Sequence, residues 1–158
     1  MSEPRLRLAT PADAAIIAEF NRAMALETEQ RELDPDRLRA GVEAVFADPA
    51  RGTYRVAEVD GTVAACLLVT FEWSDWRNGT WWWLQSVYVR PGQRGRGVFK
   101  ALYRQLRADA LAAPGVCGLR LYVERENARA QRVYEALGMT PEPYRMLHDE
   151  FAPAPAAH

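Results

Sequence analysis

The stretch 81–104 limits the fold more than any other part of this chain, because a strand, a basic glycine turn and a helix follow one another without a break. Residues 81–89 are aromatic and β-branched, the composition of a strand. They are apolar on both alternating faces, which predicts a central strand covered on each side. Pro91 and Gly92 stop it. Gln93-Arg94-Gly95-Arg96-Gly97 comes next, and Val98, Leu102 and Leu106 then recur at helical spacing. Such a junction gathers unpaired backbone N–H groups, a helix N-terminus and two guanidiniums at one point. It suits an anion, and a pyrophosphate best of all.

Any affinity for phosphate must be local. The net charge is −1, so there is no global basic field to recruit nucleic acid or anionic lipid. No apolar run approaches the length of a membrane span, and residues 1–7 do not read as a signal peptide. Cys66 and Cys117 fall in strand-like segments and are expected as reduced core thiols of a cytoplasmic protein. His148 and His158, the only histidines, show no zinc-type spacing, so no metal is expected. The 158 residues suit a single domain over 1–150, with an Ala/Pro tail at 151–158 too poor in core residues to fold.

Leu6 and Leu8 alternate with arginines as a short edge strand. Thr10-Pro11-Ala12-Asp13 reads as a helix start, and Ile16, Ile17, Phe20 and Met24 form the stripe of that helix. Asp34-Pro35 starts a second helix, carrying Leu38, Val42, Val45 and Phe46. The acidic residues 27–32 between them are a solvated loop or helix end, or a rim that attracts a cationic substrate. Asp60-Gly61 predicts a hairpin between strands at 54–59 and 62–71. Asn78-Gly79 turns the chain back into the central strand. Pro114-Gly115 ends the following helix, and Leu119, Leu121 and Val123 alternate as another strand. Asn127 caps a helix with Ala130, Val133, Tyr134 and Leu137 on one stripe, Gly138 ends it, and 139–147 is expected as a last strand. The order β-α-α-β-β-β-α-β-α-β predicts a single α/β domain, with a mixed, mostly antiparallel sheet and helices on both faces.

Two motifs carry a resemblance. Val89-Arg90-Pro91 precedes Arg94-Gly95-Arg96-Gly97-Val98-Phe99, and Asn127, Ala130, Tyr134, Leu137 and Gly138 stand in the pattern N-x-x-A-x-x-x-Y-x-x-L-G. Over residues 5–147 the chain resembles the GNAT N-acetyltransferase superfamily, whose acetyl-CoA loop is R/Q-x-x-G-x-G/A. Phe99 departs from that loop, since the family prefers glycine or alanine there. The segment 72–89, with its tryptophans, is more loosely similar to the diamine and thialysine acetyltransferase branch.

The resemblance implies acetyl-CoA as co-substrate. Amides of Arg94, Gly95, Arg96, Gly97 and Val98 would wrap its pyrophosphate, with Phe99 turned into the helix–sheet core. The strand carrying Val87, Tyr88 and Val89 would splay from its parallel neighbour, bond the pantetheine arm and polarise the thioester carbonyl. Tyr134 would protonate the departing thiolate, or is a plain core tyrosine; Asn127 lies near the cofactor, or is only an N-cap.

Gln85 and Ser86 are polar in an otherwise apolar strand and need partners, from a substrate cleft or from the core. Related diamine enzymes carry acids at these positions, and a glutamine cannot take a proton. Glu72 is therefore the first choice of general base and Asp75 the second, against a surface carboxylate paired with Arg77. Trp73 and Trp76 would line an acceptor pocket that holds a cationic amine, or a homodimer interface. The expected function is transfer of acetyl from acetyl-CoA to a primary amine, a small one favoured, by direct attack in a ternary complex. No cysteine near the motifs offers an acyl-enzyme. The alternative is an acyl-CoA-binding sensor without turnover.

Overall fold

The structure, a computed structural model, describes residues 2–152. Strand β1 (Arg5–Leu8) leads through a single 3-10 turn at Pro11–Asp13 into helix α1 (Ala14–Glu29). Helix α2 (Pro35–Ala47) follows, then strands β2 (Thr53–Val59), β3 (Thr62–Ser74) and β4 (Gly79–Val89). Helix α3 (Val98–Ala112), strand β5 (Val116–Arg120) and helix α4 (Ala128–Ala136) complete the order. The five strands form one sheet in sequence order, antiparallel from β1 to β4, with β5 added in parallel to β4.

Local signals set most of these boundaries. Asp34 caps α2 by accepting the N–H groups of Asp36 and Arg37. The Asp13 carboxylate accepts the Thr10 N–H at 2.7 Å and also takes the Arg7 guanidinium, which ties the start of α1 to β1. Asp60 and Gly61 both have positive φ (51° and 77°), the conformation that the two-residue hairpin between β2 and β3 demands.

Side chains alternate across the sheet and divide the core in two. On one face Ile17 and Phe20 of α1 and Val42 of α2 pack with Tyr54, Val56, Cys66 and Tyr88. Val98, Leu102 and Leu106 are the buried stripe of α3. An ion pair between Arg55 and Asp109 fastens that helix to β2. Burial pushes the Cys66 thiol up to about 12, so it stays an inert core thiol.

The chain divides after Tyr122 into two compact units, the first holding the sheet with α1–α3 and the second holding α4. The expected strand at 139–147 is absent: these residues have no regular secondary structure, and all but the partly buried Met139 are exposed. Pro141 and Pro143 each remove a ladder donor, and Met146 and Leu147 remain 70% and 91% exposed. β5 also ends at Arg120, so Leu121 and Val123 lie beyond it. Of the expected tail, 153–158 lies outside the described residues, and Phe151 and Ala152 are exposed.

Candidate active site

Between β4 and α3 the chain makes a 3-10 turn at Pro91–Gln93 and then enters the left-handed region twice, at Gly95 (φ 75°) and Gly97 (φ 80°). Gly97 is the N-cap of α3. A Cβ built on either glycine meets nothing within 4 Å, so these residues are glycine for backbone shape and not for close packing. The outcome is an open turn at a helix N-terminus, where amides and dipole favour an anion. Val98 is buried, while Arg94 and Arg96 are exposed. Phe99 is half-buried and lies against Tyr103, with ring centroids 6.1 Å apart, so its bulk turns along the helix.

β4 holds the second feature. Its pairing with β5 stops at Trp83 opposite Arg120, yet β4 runs on to Val89. Among the described residues, Val87, Tyr88 and Val89 therefore keep β3 as their only strand partner. In this same stretch the register with β3 slips, with Cys66 opposite Tyr88 but Leu68 opposite Gln85, so Ser86 and Val87 face Leu67 together. Ser86 takes the strained conformation of this bulge, at φ 50°. A left-handed residue other than glycine costs roughly 1–2 kcal/mol, and bulges of this kind bend a strand. The polarity at 85–86 thus has two separate causes. Ser86 sits in the bulge, and the Gln85 amide donates to the Thr70 hydroxyl at 2.6 Å.

Glu72 is not the surface acid paired with Arg77 that sequence proximity suggested. Its carboxylate accepts the Trp83 indole N–H at 3.0 Å and the Arg120 guanidinium at 2.8 Å. These contacts, the indole first, hold its carboxyl below the usual range. A carboxylate so engaged is less basic than a free one, which weighs against the expected role of Glu72 as base. Arg77 instead lies over the Trp81 ring, which Arg120 also covers at 3.9 Å from its centroid.

The expected acceptor residues do not converge. Glu72 pairs with Trp81 and Thr70 with Trp83, so these share the face of Gln85, whereas Trp73 opposes Thr80 on the other face. Trp73 and Trp76 are 63% and 88% exposed. Asp75 is exposed in the turn, where its carboxylate accepts the Trp76 N–H.

Two contacts escaped the sequence. Glu27, on the last turns of α1, accepts the Tyr88 hydroxyl at 3.1 Å and the Arg94 guanidinium at 2.8 Å. Burial, and then Glu27 itself, raises the Tyr88 hydroxyl pKa. Arg120 was visible only as a charge in an apolar strand. Beside Tyr88, a cleft of about 360 Å³ opens between Phe20 and Ala23 of α1 and the residues Arg90 and Pro91.

In the second unit, Asn127 accepts the Ala130 N–H at 3.1 Å, as an N-cap should. Tyr134 is partly buried on α4, and that burial raises its hydroxyl pKa, keeping the proton in place at neutral pH. Of the rest of the expected stripe, Ala130 and Leu137 are also partly buried, while Val133 is 41% exposed.

Relatives match this chain across the described elements. The profile of the Acetyltransferase (GNAT) family covers residues 16–139. A mycothiol acetyltransferase of Beutenbergia cavernae is 33% identical over 120 residues, which is 76% of this chain and 38% of that protein. A second, from Corynebacterium aurimucosum, is 30% identical over 123 residues, or 76% and 40%. The chain thus spans about two fifths of the length of these curated relatives. A solved structure described as a possible acetyltransferase from Clostridium difficile 630 superposes with a TM-score of 0.87 at 40% identity, covering 96% of this chain and 99% of that one. The glycine turn and the divergence of β4 from β5 lie within the span of the profile, and this chain belongs to the acetyltransferase (GNAT) family.

Proposed function

We propose that this protein moves an acetyl group from acetyl-CoA to a primary amine, a small one in preference, by direct attack within a ternary complex. The observation that carries this reading is the conjunction of a left-handed glycine turn at a helix N-terminus with a strand edge, 84–89, that β5 leaves unpaired. The residues fit the co-substrate. The turn 94–98 supplies amides for a diphosphate, and the open edge of β4 supplies backbone donors and acceptors for an amide-bearing arm. Bound there, acetyl-CoA supplies an activated acyl group as its thioester.

What remains for the protein is positioning, polarisation and proton transfer. An N–H on the unpaired edge of β4 polarises the acyl carbonyl. Tyr134 keeps its proton and gives it to the departing sulfur. Glu72 is committed to Trp83 and Arg120, so the amine must lose its proton to water or to another carboxylate. Cys66 is buried and its thiol is pushed up to about 12, which argues against an acyl-cysteine route through it.

The acceptor has two supports that disagree. The tryptophan-rich turn at 73–76 suggests the diamine and thialysine branch, and the name of the curated relatives suggests mycothiol acetyltransferase activity. The test is release of free thiol from acetyl-CoA across a panel of amines, beside calorimetry with CoA. Binding with thiol release in an amine-dependent manner is expected. CoA binding without release under any amine would replace the enzyme by a sensor, and absence of CoA binding would end both readings.

A further inference from the structure

Arg94 is one of the two guanidiniums of the glycine turn, and in this structure it already has an anion. Its Nη2 lies 2.8 Å from Oε2 of Glu27, and its Nε donates to the Val89 carbonyl at 2.8 Å. The guanidinium also covers the Tyr88 ring, 5.3 Å from its centroid. The other Glu27 oxygen accepts the Tyr88 hydroxyl. One carboxylate thus links the end of α1 to the strand and to the turn expected to carry the cofactor. The two charged side chains are 38% and 40% exposed, so a solute can reach them.

We propose that Glu27 is an internal stand-in for the diphosphate at Arg94, and that CoA, by taking Arg94, releases the Glu27 carboxylate to hold the ammonium of the acceptor. This rests on the acetyltransferase reading above and names the residue that couples its two substrates. A diphosphate offers a guanidinium more charge and more acceptor oxygens than one carboxylate does. An exposed ion pair is weak, so its displacement reduces CoA affinity by no more than about fivefold. Glu27 does not drift away once released, because the Tyr88 hydroxyl still anchors it. That tyrosine stands on the part of β4 that diverges from β5, beside the expected path of the thioester. The site thereby gains the negative charge that Gln85 and Ser86 lack and that Glu72 has committed to Arg120.

Calorimetry with CoA on the intact chain tests the exchange. Glu27→Gln is expected to bind CoA two- to fivefold more tightly than wild type at low salt, with the gain fading as salt rises, on the order expected for one exposed pair. In an Arg94→Ala background the same substitution should change nothing, since the cycle isolates the pair. Equal or weaker CoA binding by Glu27→Gln overturns the exchange. Thermal unfolding with 1,3-diaminopropane as a cationic probe tests the release. The diamine should raise the melting temperature of wild type only when CoA is present, and of CoA-loaded Glu27→Gln not at all. A shift independent of CoA, a shift retained in the variant, or no shift in CoA-loaded wild type overturns this half. Wild type that binds no CoA would remove the acetyltransferase reading itself, a result distinct from all of these.

Discussion

Replacing Gly97 by alanine separates the conformation of the turn from its binding role. Gly97 lies at φ 80° and ψ 10°, and a Cβ there would touch nothing within 4 Å. The cost to folding is therefore a backbone cost alone, roughly 1–2 kcal/mol for a left-handed alanine. For a chain of this size that lowers the melting temperature by roughly 2–8 °C. The effect on CoA should be larger. If the backbone relaxes toward negative φ, the N–H groups around Gly97 and Val98 rotate off the anion position. Each hydrogen bond to a charged group is worth about 1.5–3 kcal/mol, so losing one weakens CoA binding by roughly tenfold to a hundredfold. Calorimetry at a temperature where both proteins are folded measures this directly. Gly52→Ala is the complementary control. At φ 152° its Cβ would fall 2.5 Å from the Val69 carbonyl oxygen, a clash with backbone, so it should destabilise more while leaving the affinity of the folded fraction unchanged. Wild-type CoA affinity in Gly97→Ala would refute the assignment of these amides to the diphosphate.

Tyr134→Phe is expected to lower kcat by roughly tenfold to a thousandfold with little change in CoA affinity, because the hydroxyl acts only when sulfur departs; steady-state kinetics beside calorimetry checks it, and an unchanged kcat removes Tyr134 from the mechanism. Asp13→Asn should cost about 2 kcal/mol near pH 7, since the nearly buried carboxylate holds the Arg7 guanidinium at 2.7 Å and accepts the Thr10 N–H. That contact, Arg7 first, depresses the folded pKa of Asp13, so its stabilisation is fully present above about pH 4 and is lost as pH falls through the lower folded value. Urea melts of the two proteins should therefore differ at pH 7 and converge toward pH 2.

What the sequence made legible was local, and what it hid depended on sheet register. The strand–turn–helix at 81–104, the Asp60-Gly61 hairpin and the Asn127 cap each rest on neighbouring residues, and each stands where expected. The strand expected at 139–147 fails because its apolar residues suggested pairing while Pro141 and Pro143 remove the donors that pairing needs. Ser86 was legible as an anomaly but not as a bulge, since the extra residue exists only relative to β3.

The acids show the same limit most clearly. Glu72 was read as a base, or else as a surface carboxylate paired with Arg77 five residues away, whereas the fold supplies Arg120, brought beside it when β5 joins β4. Glu27 was read within one acidic segment, 27–32, as a solvated loop or helix end or a rim for a cationic substrate; α1 continues to Glu29 and turns Glu27 toward Tyr88 and Arg94. From sequence alone, Glu72 was the base and Glu27 the rim. Their neighbours weigh against the first and draw Glu27 toward the glycine turn. The carboxylate held by an indole and a guanidinium is less basic than a free one, while under the exchange proposed above the carboxylate that shares an exposed arginine with the glycine turn changes partners when that arginine is claimed.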